Sequence, residues 1–153
     1  DFCLSRGLGD VYKRQQQRLI LYQKVEVIRG FFNLVHVRNT GGAFGIFGGE
    51  RGGLGSWLFV VASLIAIGCI LVLFFRLRED EKTISLSLSL VLSGALGNLV
   101  DRLRYGEVVD FLDFYLFSYH WPAFNIADSA ICLGIGLMAL ELLIRDHRRS
   151  KNK

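Results

Sequence analysis

Four aspartates, Asp101, Asp110, Asp113 and Asp128, crowd into a short part of the chain. The last three lie in "EVVDFLDFYLFSYHWPAFNIADSA" (Glu107 to Ala130), among the most aromatic stretches of the sequence. Asp110 has Val108 and Val109 before it and Phe111 and Leu112 after it. Apolar neighbours disfavour the charged form of a carboxylate. If Asp110 and Asp128 approach each other, they cannot both ionise easily and share one proton. Such a pair can hydrolyse an amide. One carboxylate takes a proton from water, the other polarises the carbonyl, and the proton passes to the leaving amine. This chemistry needs no metal and no cofactor.

Other nucleophile chemistries find no support. Ser129 sits beside Asp128 without a plausible base and reads as a small helix residue. Cys3, Cys69 and Cys132 are far apart and fit neither a disulfide framework nor a metal spacing. Each aspartate also has a simpler reading. Asp101 could pair with Arg102, and Asp113 could lie in solvent. Asp128 could reach back to Asn125 as the third residue of a helix capped by it, a capping box.

The elements that must position these groups are apolar. The 153 residues leave room for one domain, are 52% hydrophobic, and include a single Pro. Mean hydropathy is +0.38. A net charge of +4 is informative mainly through its placement. Leu54 to Phe75 carries no charge over 22 residues, and a spanning helix needs about 20. Ile84 to Val100 alternates with period two, yet Ser85, Ser89, Ser93 and Gly97 recur every four residues. That small-residue row favours a membrane helix in close packing. Asp101 extends the row, and Gly94, Asn98 and Arg102 form the next. The predicted spans are 54–75, 84–101 and 125–144, with the loop 102–124 between the last two.

Orientation follows the basic residues. "RLREDEK" (Arg76 to Lys82) and "RDHRRSKNK" (Arg145 to Lys153) fall on one side of three spans. The positive-inside rule assigns that side, with the tail 147–153, to the cytoplasm. The aspartates and the aromatic loop then lie at the outer face, where Phe, Tyr and Trp suit the interface. "VEVIRGFFNLVHVRNTGGAFGIFGG" (Val25 to Gly49) predicts short strands and a tight turn, with His36 structural. The first 15 residues, "DFCLSRGLGDVYKRQ", form neither a signal peptide nor a span and read as a non-native leader. Residues 16–53 then hold the remnant after a missing first helix, plus the β region.

The segments "VRNTGGAFGIF", "GALGNLVDR", "GEVVDF" and "PAFNIADSAI" together resemble bacterial lipoprotein signal peptidase, the signal peptidase II family. The resemblance covers about residues 25 to 145. It implies a mainly α membrane protein: a transmembrane helix bundle, with four spans expected and three visible, and a small periplasmic β region. It implies an aspartic endopeptidase of the bacterial inner membrane that cleaves prolipoproteins before their lipid-modified cysteine. Carried over by motif, Asp110 and Asp128 are the catalytic pair. Asn39, Gly41, Asn98, Asp101, Arg102 and Asn125 bind substrate or support the pair. Asp113 belongs to none of these motifs. The implied partners are lipid-modified prolipoproteins and membrane lipids, with no nucleic acid, and the chain is expected to be a monomer. The family's first helix carries an Asp and a Lys near its outer end. Here Asp10 and Lys13 follow no apolar span, so their match is read as coincidence. A proton- or ion-coupled carrier and a non-catalytic scaffold are the competing classes. A carrier needs its carboxylates near mid-bilayer, and a scaffold tolerates their loss.

Overall fold

The computed structural model describes residues 24–42 and 53–151. The proposed leader and most of the glycine-rich segment after Gly42 lie outside the described residues. The elements run β1 (Val25–Ile28), β2 (Phe32–Asn39), α1 (Leu54–Phe74), α2 (Lys82–Tyr105), β3 (Val108–Leu116), β4 (Tyr119–His120) and α3 (Ile126–Lys151). Among the described residues they form two compact units. One holds 24–38 and 109–124, and the other 39–42, 53–108 and 125–151.

The helical unit contains three helices long and apolar enough to cross a membrane. In α1 only Ser56, Val60 and Ile70 are buried. Leu58, Val61, Leu64, Ile65 and Val72 stay exposed. So broad an apolar surface needs lipid to cover it. α2 and α3 outrun their expected bounds. α2 continues to Tyr105 and ends on left-handed Gly106 (φ 75°), whose N–H bonds the Arg102 carbonyl. Only a residue without Cβ takes that conformation readily. α3 runs to Lys151, so the expected basic tail is largely helix.

α2 and α3 pack through glycine. A Cβ on Gly94 would collide with the Ala127 carbonyl and Ile131. A Cβ on Gly134 would stand 2.7 Å from the Ser87 carbonyl. The α2 row that meets α3 thus runs through buried Ser87 and Gly94 to half-buried Asn98, while Ser89 and Ser93 of the expected row are exposed. Their hydroxyls bond back to the Ser85 and Leu90 carbonyls. At the basic end, Arg145 of α3 reaches Glu81 (2.6 Å) and Glu141 (2.8 Å), which gives Glu141 a protein partner. At the opposite end, Ser56 of α1 donates to the Gly106 carbonyl at 2.8 Å.

The other unit is a four-stranded sheet in the order β1-β2-β3-β4. The turn before β2 uses Gly30 at φ 79°. The sequence predicts these first two strands, but it reads 102–124 as a loop. Instead β3 and β4 join the sheet, pairing antiparallel at Tyr115–His120 and Leu116–Tyr119. The aromatic residues divide. Phe114 packs against Phe31, Phe32 and Phe124 with centroids 4.7–5.8 Å apart. Phe117, 90% exposed, turns the hairpin at φ 55°.

Candidate active site

Asp110 lies on β3 and is 3% exposed. Its strand is irregular. The N–H groups of Phe111 and Leu112 both bond the Phe124 carbonyl, at 3.0 and 2.9 Å, and Phe124 N–H returns to Leu112. Two residues facing one define a β-bulge. The buried positions of β3 follow it: Val108, Asp110 and then Asp113. Strict alternation would put Asp110 and Asp113 on opposite faces. The bulge brings them into phase.

Asp113 does not lie in solvent. It is 6% exposed, and its Oδ2 accepts from Asn33 Nδ2 at 2.6 Å. His120 Nδ1 meets Oδ1 at 2.9 Å and Oδ2 at 3.1 Å. The His120 ring stacks on Tyr115 at 4.9 Å. The Tyr115 hydroxyl accepts from Gly30 N–H and donates to Glu26. Desolvation first, and the Glu26 bond second, raise its pKa above the ordinary tyrosine value. Sequence reasoning missed Asn33 and His120. The available signal was a polar residue set into each of two apolar, aromatic strands.

Asp128 sits in the first turn of α3, and the capping box forms. Asp128 N–H donates to Asn125 Oδ1 at 3.1 Å, and Asn125 N–H donates to Asp128 Oδ2 at 3.2 Å. The other oxygen, Oδ1, accepts from Asn98 Nδ2 at 2.8 Å. Asn125 Nδ2 donates to Asn98 Oδ1 at 3.2 Å, closing a triangle. Both oxygens of Asp128 are therefore held, from α2 and from its own helix start. A carboxylate so fixed, beside the positive end of a helix, suits proton transfer in one defined direction.

The remaining expected residues divide. Arg102 donates from Nη2 to the Gly41 carbonyl at 2.6 Å, and its guanidinium lies 5.1 Å from the Phe59 ring centroid. Asn39 folds its own turn, accepting from Gly41 N–H and donating to the Gly42 carbonyl. Asp101 is half-buried on α2 and takes no part in the Asp128 triangle. Of the six expected supporting residues, Asn98 and Asn125 meet Asp128, while Arg102 meets Gly41.

Comparison with known proteins adds a family. Residues 10–144 match the family described as signal peptidase (SPase) II. The lipoprotein signal peptidase of Geobacter metallireducens is 45% identical over 137 residues, covering 88% of this chain and 82% of that protein. That of Geobacter sulfurreducens is 49% identical over 129 residues, covering 84% and 79%. That of Desulforapulum autotrophicum is 51% identical over 118 residues, covering 76% and 72%. A solved bacterial membrane enzyme, determined by the in meso method at 2.3 Å resolution, superposes with a TM-score of 0.78 and 34% identity, covering 94% of this chain and 85% of that one. With the match reaching across nearly the whole chain and the same fold in the solved enzyme, this chain belongs to the signal peptidase II family.

Proposed function

We propose that the chain is a lipoprotein signal peptidase that cuts prolipoproteins before their diacylglyceryl-modified cysteine, with Asp110 and Asp128 as its catalytic pair. The pair shares one proton. The ionised member takes a proton from water as the water attacks the scissile carbonyl. The protonated member donates to the carbonyl oxygen. The amine then leaves with the proton taken from water. The active site faces the outer side of the inner membrane, where a lipid-anchored substrate resides, and the C-terminus is cytoplasmic. The enzyme works as a monomer on lipid-modified substrate.

The observation that carries this reading is the setting of Asp128. Its two oxygens are held by Asn98 and by the backbone N–H of Asn125. A cap alone accounts for the second bond and leaves the first unexplained. Asp110 supports it as a carboxylate buried at a bulge. Bulges recur beside active sites, where they re-aim a side chain.

The test is cleavage of a lipid-modified precursor by Asp110→Asn and Asp128→Asn, each checked for folding by thermal unfolding. Both variants lose cleavage and stay folded. Full activity in either one refutes the pair. An unmodified precursor run alongside tests the lipid requirement.

A further inference from the structure

Asp113 follows Asp110 by three residues, and β3 slips between them at the Phe111–Leu112 bulge. A one-residue slip exchanges the two faces of a strand. The position of the bulge therefore decides which way Asp110 points. Backbone pairing holds β3 on both sides, to β2 and, at Tyr115–His120 and Leu116–Tyr119, to β4. Side chains add to that grip, and they converge on Asp113. Asn33 reaches it from β2 and His120 from β4. Where the Asp113 carboxylate accepts in this contact, the donor is the Nδ1–H of His120. Tyr115, stacked on His120, ties the same patch to Gly30 and Glu26 near the β1–β2 turn.

This grip is poorly suited to stability. Asn33 is 0% exposed, and its buried Oδ1 finds no hydrogen-bond partner among the described residues. A buried unsatisfied polar atom destabilises the fold. Apolar side chains of similar size would hold three strands together at least as well. A polar network that gives up stability marks a place where geometry is needed.

We propose that Asp113, gripped by Asn33 and His120, is a positioning residue for Asp110. It fixes the bulge in β3 and through it the direction of the Asp110 carboxylate. Asp113 touches no reacting atom. The inference rests on the catalytic reading of Asp110.

The test uses the full chain in lipid–detergent micelles. It measures kcat and KM on a lipid-modified precursor, with thermal unfolding of every variant. Asp113→Asn and Asn33→Leu lower kcat about 100-fold, the scale of a misplaced catalytic group. KM stays within about two-fold, because binding is untouched. His120→Phe keeps the stack on Tyr115, loses the Nδ1 donor, and falls alike. His120→Asn restores a donor at that place and recovers most of the activity. The double variant Asn33→Leu, Asp113→Leu unfolds no earlier than the parent and stays inactive. Wild-type kcat in Asp113→Asn overturns the inference, as does an activity loss that only tracks lost folded protein. Asp110→Asn in the same series separates the two claims. If it remains active, the catalytic reading falls. If it is dead while Asp113→Asn is fully active, only the positioning role falls.

Discussion

Asn98 donates to Asp128 Oδ1 at 2.8 Å, from one membrane-length helix to the start of another. The bond turns a cap into an oriented carboxylate. Asn98→Ala removes the donor and leaves the capping box in place. Precursor cleavage then drops on the order of 10- to 100-fold while the protein stays folded. Asn125→Ala is the complement, because it removes the cap itself. It costs about 1 kcal/mol of stability, readable in thermal unfolding.

The α2–α3 crossing has no room for a Cβ at Gly94 or Gly134. Gly94→Val and Gly134→Val each force the helices apart and destabilise by about 1–3 kcal/mol or more. Gly136, whose added Cβ meets nothing within 4 Å, is the control. Gly136→Ala leaves the unfolding midpoint unchanged or slightly raised.

Arg102 and Phe59 form one contact, and the same guanidinium holds the Gly41 carbonyl. Arg102→Lys keeps the charge and loses the planar fork. A double-mutant cycle with Phe59→Leu gives a coupling of about 0.5–1 kcal/mol. A coupling of zero would show that the ring and the guanidinium merely sit close.

Arg145 holds the Glu81 carboxyl below the ordinary glutamate range, with the Arg78 backbone N–H second among the causes. A carboxyl whose folded pKa is depressed stabilises the fold above its unfolded pKa. That contribution fades as pH falls through the folded value. Wild type therefore unfolds later than Glu81→Gln at neutral pH. The gap closes as pH drops below the usual carboxylate range. A gap that persists at low pH would point to packing instead of charge.

Much of this was legible in the sequence. Twenty-two uncharged residues from Leu54 can hardly be anything but a span. "FNIAD" announced its capping box, because the cap depends on residues three apart. What stayed hidden depended on partners distant in the chain. Asp113 looked solvated because Asn33, 80 residues earlier, cannot be seen from its neighbours. Residues 102–124 looked like a loop because a bulge breaks the alternation that marks a strand. The serine row on α2 was real, but periodicity does not say which row faces a neighbour. Gly94 and Gly134, seated against each other's helices, decide that.

The contacts between α2 and α3 occur at three heights. Asn98 meets Asp128 at one end with Gly94 against Ala127 and Ile131 beside it, Gly134 seats against Ser87 and Val91 farther along, and Glu81 meets Arg145 at the other end. Fastenings at both ends with close-packed glycines between them oppose a slide of one helix along the other. α1 is joined to α2 by the Ser56 hydroxyl on Gly106 and presents most of its surface outward. Within the helical unit, the described contacts therefore tie Asp128 and its helix to α2 more closely than they tie α1.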